Sequence, residues 1–296
     1  MTQTVEDLRT QIDTLDNQLH DLLMDRAELV LKIGEAKRRN NIQVVQPDRE
    51  IVMLRRLLAR HRGSLPKEAV VRIWRELVGA VSLLQTGLRV AVTLPEGGAA
   101  IDFWDMAKDY FSSVLPMQRV NSALATLTMV REGQVTLGVV PYPEDGEKSP
   151  WWIHLLDEAE KESPIRIVAR LPLGDRSNAN ANPHRPALAV GRLDFNASGD
   201  DRTFLALETI KDLSRTRIME RLGGEGLPVR GSVSLPTTSG RGLAFHFVEV
   251  DGYVGANDPR LAGVPERLES PEGRCVFIGG YPVPPVYDDR VGKNVG

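Results

Sequence analysis

Between Val5 and Arg39 the chain has no proline and one glycine, Gly34, and that run constrains the fold more than any other feature. Ile12, Leu15, Leu19, Leu22, Leu23, Val30 and Ile33 recur near the helical period, which predicts one long amphipathic helix. A helix of about 35 residues is roughly 50 Å long. The first 89 residues alone cannot cover so long an apolar stripe, so the helix is expected to pack against a second copy of the chain.

Two start signals follow. Pro47 ahead of Asp48, Arg49 and Glu50 reads as the first turn of a second helix reaching about His61. Ser64-Leu65-Pro66-Lys67-Glu68 opens a third, which carries Val70, Val71, Ile73, Trp74, Leu77, Val78, Val81 and Leu84 and ends near Leu88.

Arg9, Arg26, Lys37, Arg49, Glu50 and Gln85 are spread along these helices, a distribution that makes sense if they converge on one small, doubly anionic ligand. Arg26 and Lys37 return to within about 20° of one helix face but lie about 16 Å apart along the axis, so a shared ligand must sit between them. Arg9 is a further 25 Å or so away and about 100° round the helix. It cannot reach the same ligand in its own chain, but an antiparallel partner chain could bring its copy in. Lys32, Arg38, Arg39, Arg55, Arg56, Arg60 and Arg62 read as solvated surface.

Leu8-Arg9, Asp25-Arg26-Ala27-Glu28-Leu29, Gly34-Glu35-Ala36-Lys37, Asp48-Arg49-Glu50 and Ile73-Trp74-Arg75-Glu76-Leu77 with Gln85 resemble, in order and spacing, the all-helical chorismate mutase family. The resemblance implies three helices in an intertwined dimer and the pericyclic conversion of chorismate to prephenate, without metal or cofactor. It implies that Arg26, Arg49 and Arg9 from the partner hold the two carboxylates, that Lys37 and Gln85 donate to the ether oxygen, and that Glu50 accepts from the ring hydroxyl. Two positions depart from the pattern: Gln46 stands where an aspartate is common, and Val81 where a serine is common.

With 42% hydrophobic and 26% charged residues, the 296-residue chain is long enough for two or three compact units. A single cysteine, Cys275, excludes an internal disulfide and sits in an apolar run that reads as packing. No apolar run has the length of a membrane span, and the first residues lack the basic and apolar regions of a signal peptide, so a cytoplasmic protein is expected. Residues 1–89 carry 15 Lys+Arg against 12 Asp+Glu. That small surplus suits an anionic substrate and is too slight for nucleic acid.

From Arg89 the character changes. Strand readings at Arg89–Leu94, Thr136–Val140 and Ile165–Leu171 alternate with helix readings at Phe103–Phe111, Ala123–Glu132 and Trp151–Lys161. They indicate a small α/β unit, residues 90–194, with a mainly parallel sheet. Gly97-Gly98 is a turn, not a phosphate-binding fingerprint. Val90-Ala91-Val92 with Leu94-Pro95-Glu96-Gly97, Gly138-Val139-Val140-Pro141, and Ile165-Arg166-Ile167-Val168 before Leu171-Pro172-Leu173 resemble the first lobe of prephenate dehydratase. That family has a second lobe and a Thr-Arg-Phe motif. Here an Asn-rich loop runs from Gly174 to Pro183 straight into His184-Arg185-Pro186, so no dehydratase activity is expected and Arg185 reads as structural.

Residues 195–296 read as strand Thr203–Leu207, helix Ile210–Leu222, strands Val229–Leu235 and Leu243–Val250, a helix near Pro259–Leu268 and strand Arg274–Ile278, with a loose tail after Pro282. That order, with Phe247-Val248-Glu249-Val250-Asp251-Gly252-Tyr253 and Ile278-Gly279-Gly280-Tyr281-Pro282, resembles the βαββαβ ACT domain. The phenylalanine-binding loops of that family are replaced by Ile210-Lys211-Asp212-Leu213-Ser214 and Arg230-Gly231-Ser232-Val233-Ser234, leaving dimerisation as the expected role. The five histidines, His20, His61, His154, His184 and His246, have no metal-ligand spacing, and Trp151-Trp152 reads as a packing anchor. Two other functions fit the same helical pattern: a pyruvate lyase acting on isochorismate, and a non-catalytic regulatory partner of a shikimate-pathway enzyme.

Overall fold

The computed structural model describes residues 3–94, 99–147, 150–174, 186–210, 213–235 and 243–286. The Gly97-Gly98 turn, His184 and Arg185, Lys211-Asp212 and the end of the tail lie outside them.

Three helices come first: α1 (Val5–Arg39), α2 (Pro47–Ala59) and α3 (Lys67–Thr86). α1 begins where Thr4 accepts from the Asp7 amide at 3.1 Å while the Asp7 carboxylate accepts from the Thr4 amide at 3.0 Å, a reciprocal cap. Pro47 occupies the first turn of α2, where its missing N–H costs nothing. α2 inserts Ile51 and Leu54, each 1% exposed, beneath α3; burial of this kind stabilises by about 1.5–3 kcal/mol per side chain. α1 differs. Gly34 is its one buried residue among those described, and Leu8, Ile12, Leu15, Leu19, Leu22, Leu29 and Ile33 all face solvent.

Residues beyond Leu88 build one continuous mixed sheet. Its strands are β1 (Val90–Thr93), β2 (Met117–Val120), β3 (Leu137–Pro141), β4 (Arg166–Leu171), β5 (Ala187–Gly191), β6 (Asp201–Thr209), β7 (Val229–Leu235), β8 (Ala244–Asp251) and β9 (Arg274–Pro282). Their order is β2-β1-β3-β5-β4-β9-β6-β8-β7. β1 is parallel to both neighbours and fully buried, which explains its unbroken apolar run. The mainly parallel sheet expected for residues 90–194 is corrected: β5 lies antiparallel between β3 and β4. β4 meets β9 at Ile167 and Gly279, so the sheet crosses position 194 without a break. β2 escaped the sequence reading because it is a four-residue edge strand with Gln118 and Arg119 exposed.

α4 (Ala99–Phe111) joins α2 and α3 on one face, and the apolar core there runs from Ile51 and Val71 through Val90, Phe103 and Met106 to Val168. α5 (Ala123–Arg131), a 3-10 turn at Trp151–Ile153 and α6 (His154–Glu158) cover another part, where Trp151, Trp152, Phe204 and Phe247 pack together. α7 (Arg215–Gly224), α8 (Pro259–Ala262) and α9 (Val264–Arg267) close a third core around Leu205 and Val248. α7 starts later than expected because the Ser214 hydroxyl caps it, accepting from the Arg217 amide at 3.3 Å. Cys275 lies against that third core, and burial pushes its thiol up to about 12.

The helical unit is fastened to the sheet by polar contacts. Arg55, expected at the surface, donates to the Ser198 carbonyl at 3.0 Å, the Asp200 carbonyl at 2.7 Å and the Val283 carbonyl at 2.6 Å. The start of the tail is correspondingly held: the Val283 amide donates to the Asp200 carbonyl at 2.9 Å. No helix among the described residues is long and apolar enough to cross a membrane.

Candidate active site

Arg26, Val30, Ile33 and Lys37 of α1, Arg49, Glu50, Met53 and Arg56 of α2, Val81, Ser82 and Gln85 of α3, and Gln46 just before α2 line one cavity of about 650 Å³. Seven of the eight residues singled out from the sequence therefore meet at one place. The eighth, Arg9, lies near the other end of α1, exposed and 3.5 Å from Glu6. Arg56, read as surface from the sequence, also lines the cavity.

Among the described residues, Arg26, Lys37, Arg49 and Arg56 form no ion pair with a carboxylate. The one hydrogen-bonding contact of the Arg26 guanidinium among the described residues is the Met53 sulfur at 4.0 Å, and its partial burial lowers its pKa by desolvation. Lys37 donates to two neutral oxygens, Gln46 Oε1 at 2.7 Å and the Val44 carbonyl at 3.0 Å. Desolvation holds the Lys37 ammonium below the ordinary lysine range and Arg49 pushes the same way, while Glu50 and Asp48 oppose. Because an ammonium has three donors, one remains for a ligand.

Glu50 is the one carboxylate lining the cavity among the described residues, and Oε2 is already taken, paired with Arg75 Nη1 at 2.7 Å. Four cationic side chains thus face one acid that is itself neutralised. Such a cavity favours a small anion, and mobile counter-ions or a ligand must supply the missing negative charge.

Gln85 is placed by packing. Gly34 lets α3 approach α1 so closely that a Cβ on it would stand 2.6 Å from Gln85 Nε2. The Gln85 amide then donates to the Val30 carbonyl at 2.5 Å, and its second N–H has no acceptor among the described residues. Arg38 is exposed, as expected, and donates to the Gln85 carbonyl at 2.8 Å, which steadies the same turn. Val81 is buried and apolar, and Ser82 beside it also lines the cavity. The sequence reading passed over Ser82 because it is one position away from the place where the family carries its serine.

Residues 8–86 match the family model for chorismate mutase type II. The helical segment is a chorismate mutase type II domain. The bifunctional chorismate mutase/prephenate dehydratase of Aquifex aeolicus is 31% identical over 116 residues, covering 36% of this chain and 32% of that protein. The protein of the same description from Stutzerimonas stutzeri is 28% identical over 308 residues, covering 96% of this chain and 75% of that one. Against the Aquifex relative, then, the match spans about a third of the relative's length. The solved prephenate dehydratase of Streptococcus mutans superposes with a TM-score of 0.42 at 16% identity, covering 68% of this chain and 99% of that chain. This mutase domain occupies the face of the molecule on which α2 and α3 share their apolar core with α4 and the sheet.

Proposed function

We propose that the helical unit, residues 1–89, converts chorismate to prephenate. The observation that carries this reading is the cavity in which Arg26, Lys37, Arg49 and Arg56 face a single, already paired acid. A dicarboxylate supplies the negative charge those groups lack, and planar guanidiniums meet carboxylates bidentately.

A pericyclic rearrangement needs no nucleophile. The site has to hold the folded conformer and stabilise negative charge growing on the ether oxygen. Arg26 and Arg49 grip the carboxylates, and Lys37 with Gln85 points its spare donors at the ether oxygen. Glu50 Oε1, which has no hydrogen bond among the described residues, accepts from the ring hydroxyl. Gln46 replaces the common aspartate as the acceptor that orients Lys37, with Nζ 2.7 Å from its Oε1. Val81 contributes apolar wall.

The exposed apolar stripe of α1 supports antiparallel pairing with a second copy, which delivers Arg9 of the partner subunit to this cavity. The second half, read as a dehydratase-like segment 90–194 and an ACT-like segment 195–296, does no dehydration on this account. β4 and β5 are antiparallel neighbours with Leu171 opposite Ala187, so the chain between them joins adjacent strands where a dehydratase would insert its second lobe. Prephenate therefore leaves this protein unchanged. The ACT-like segment serves dimerisation.

The test is Lys37→Ala in the full chain. Loss of a donor to a developing oxyanion lowers kcat by roughly 10²–10³-fold. A dimer of parental stability without turnover supports the enzyme, and parental turnover in the variant overturns this assignment of the site.

A further inference from the structure

Behind the cavity, Glu50 is held by a residue that has no access to a ligand. Arg75 is 4% exposed, and its Nη1 lies 2.7 Å from Glu50 Oε2. Its Nε donates to the backbone carbonyl of Tyr110 in the last turn of α4, and its guanidinium carbon stands 4.3 Å from the centre of the Tyr110 ring. One guanidinium therefore spans from the carboxylate in the cavity to the helix that lies on the sheet.

The surrounding contacts fix Arg75 in place. One turn before it, Arg72 Nη2 pairs with Asp109 at 3.2 Å. Next to it, Glu76 accepts from the Ser112 hydroxyl at 2.6 Å and from the Ser113 amide at 3.0 Å, tying down the turn that follows α4. One turn after it, Gly79 allows backbone contact, since a Cβ there would stand 2.1 Å from the Phe111 carbonyl oxygen. Arg72, Arg75, Glu76 and Gly79 form one row along α3, at the three- and four-residue spacing that puts side chains on a single face.

We propose that Arg75 is a positioning residue for the mutase reaction: it holds the Glu50 carboxylate by one oxygen, leaves the other for substrate, and makes that orientation depend on α4. The inference rests on the mutase reading above. A carboxylate gripped by a single N–H keeps its second oxygen free, and a guanidinium anchored at two further points cannot swing to take both. The sheet region thereby sets the geometry of an acceptor in the helical unit.

The experiment is a double-mutant cycle in the full chain with Arg75→Met, Glu50→Gln and both together, reading kcat, KM and melting temperature. Arg75→Met is expected to lower kcat about tenfold or more with KM within about threefold, because the carboxylate-binding arginines are untouched. In the Glu50→Gln background the same change is expected to cost no more than about twofold, since a residue acting through Glu50 has nothing left to position. Where Arg75→Met does not fold, Arg75→Lys takes its place on the same terms. Losses that multiply independently, or an unchanged kcat in the single variant, overturn the role of Arg75 and leave the mutase reading standing. Absence of chorismate turnover in the parent chain overturns both.

Discussion

Gly34 and Gln85 lie so close that the glycine's missing Cβ would stand 2.6 Å from the amide nitrogen that the glutamine presents at the cavity. α1 gives up a helix-favouring residue at this point so that α3 can bring Gln85 in. The obstacle is the end of a flexible side chain and not backbone, so the two consequences of filling the space separate.

Gly34→Ala is therefore expected to leave the melting temperature unchanged or slightly raised, because alanine gains up to about 1 kcal/mol of helix propensity over glycine. The same variant is expected to lose activity about tenfold or more as Gln85 is displaced. Thermal melts and steady-state kinetics on one preparation check both. A variant with parental kcat removes Gln85 from the mechanism.

On the proposed mechanism, Lys37 sets an alkaline limit. Its pKa is lowered from 10.5, chiefly by desolvation. The protonated ammonium is the donor, so activity is complete below that lowered value and is lost as pH rises through it. The kcat/KM profile of the free enzyme should accordingly bend below pH 10.5. A profile flat to that pH contradicts the role given to Lys37.

Arg9 sits outside the cavity of its own chain, which leads to a complementation test. Arg9→Ala and Lys37→Ala are each expected to be inactive alone. Mixed and allowed to exchange, half of the dimers are hybrids with one intact site of two, so about a quarter of parental activity should return. No recovery, with hybrids demonstrated, rules out supply of Arg9 in trans.

Arg55 binds three backbone carbonyls across the seam between α2 and the sheet region. Arg55→Ala leaves those acceptors without their donor and is expected to destabilise the chain by about 1–3 kcal/mol. Denaturant unfolding measures this directly. An unchanged midpoint contradicts the fastening role.

The helical third was largely legible in the sequence because its signals are local. The proline-free run from Val5 is α1, and Pro47 and the Ser64–Glu68 start signal open helices where those signals stand. The cavity residues were legible through spacing matched to a known pattern. Arg75 was not: its anchor is Tyr110, 35 residues further on, and nothing local marks a buried arginine. Arg55 was misread for a related reason, since an arginine that binds backbone carbonyls looks in sequence like one that faces water. The sheet was misjudged where pairing is non-local. β5 reads as a plain apolar run, and only its register with β3 and β4 reveals an antiparallel strand inside the sheet.

The most direct test of the account is to follow chorismate consumption by the purified full chain while quantifying prephenate and phenylpyruvate. Loss of chorismate with stoichiometric prephenate and no phenylpyruvate is the predicted result. Failure to consume chorismate under conditions in which the chain is folded and dimeric would contradict it.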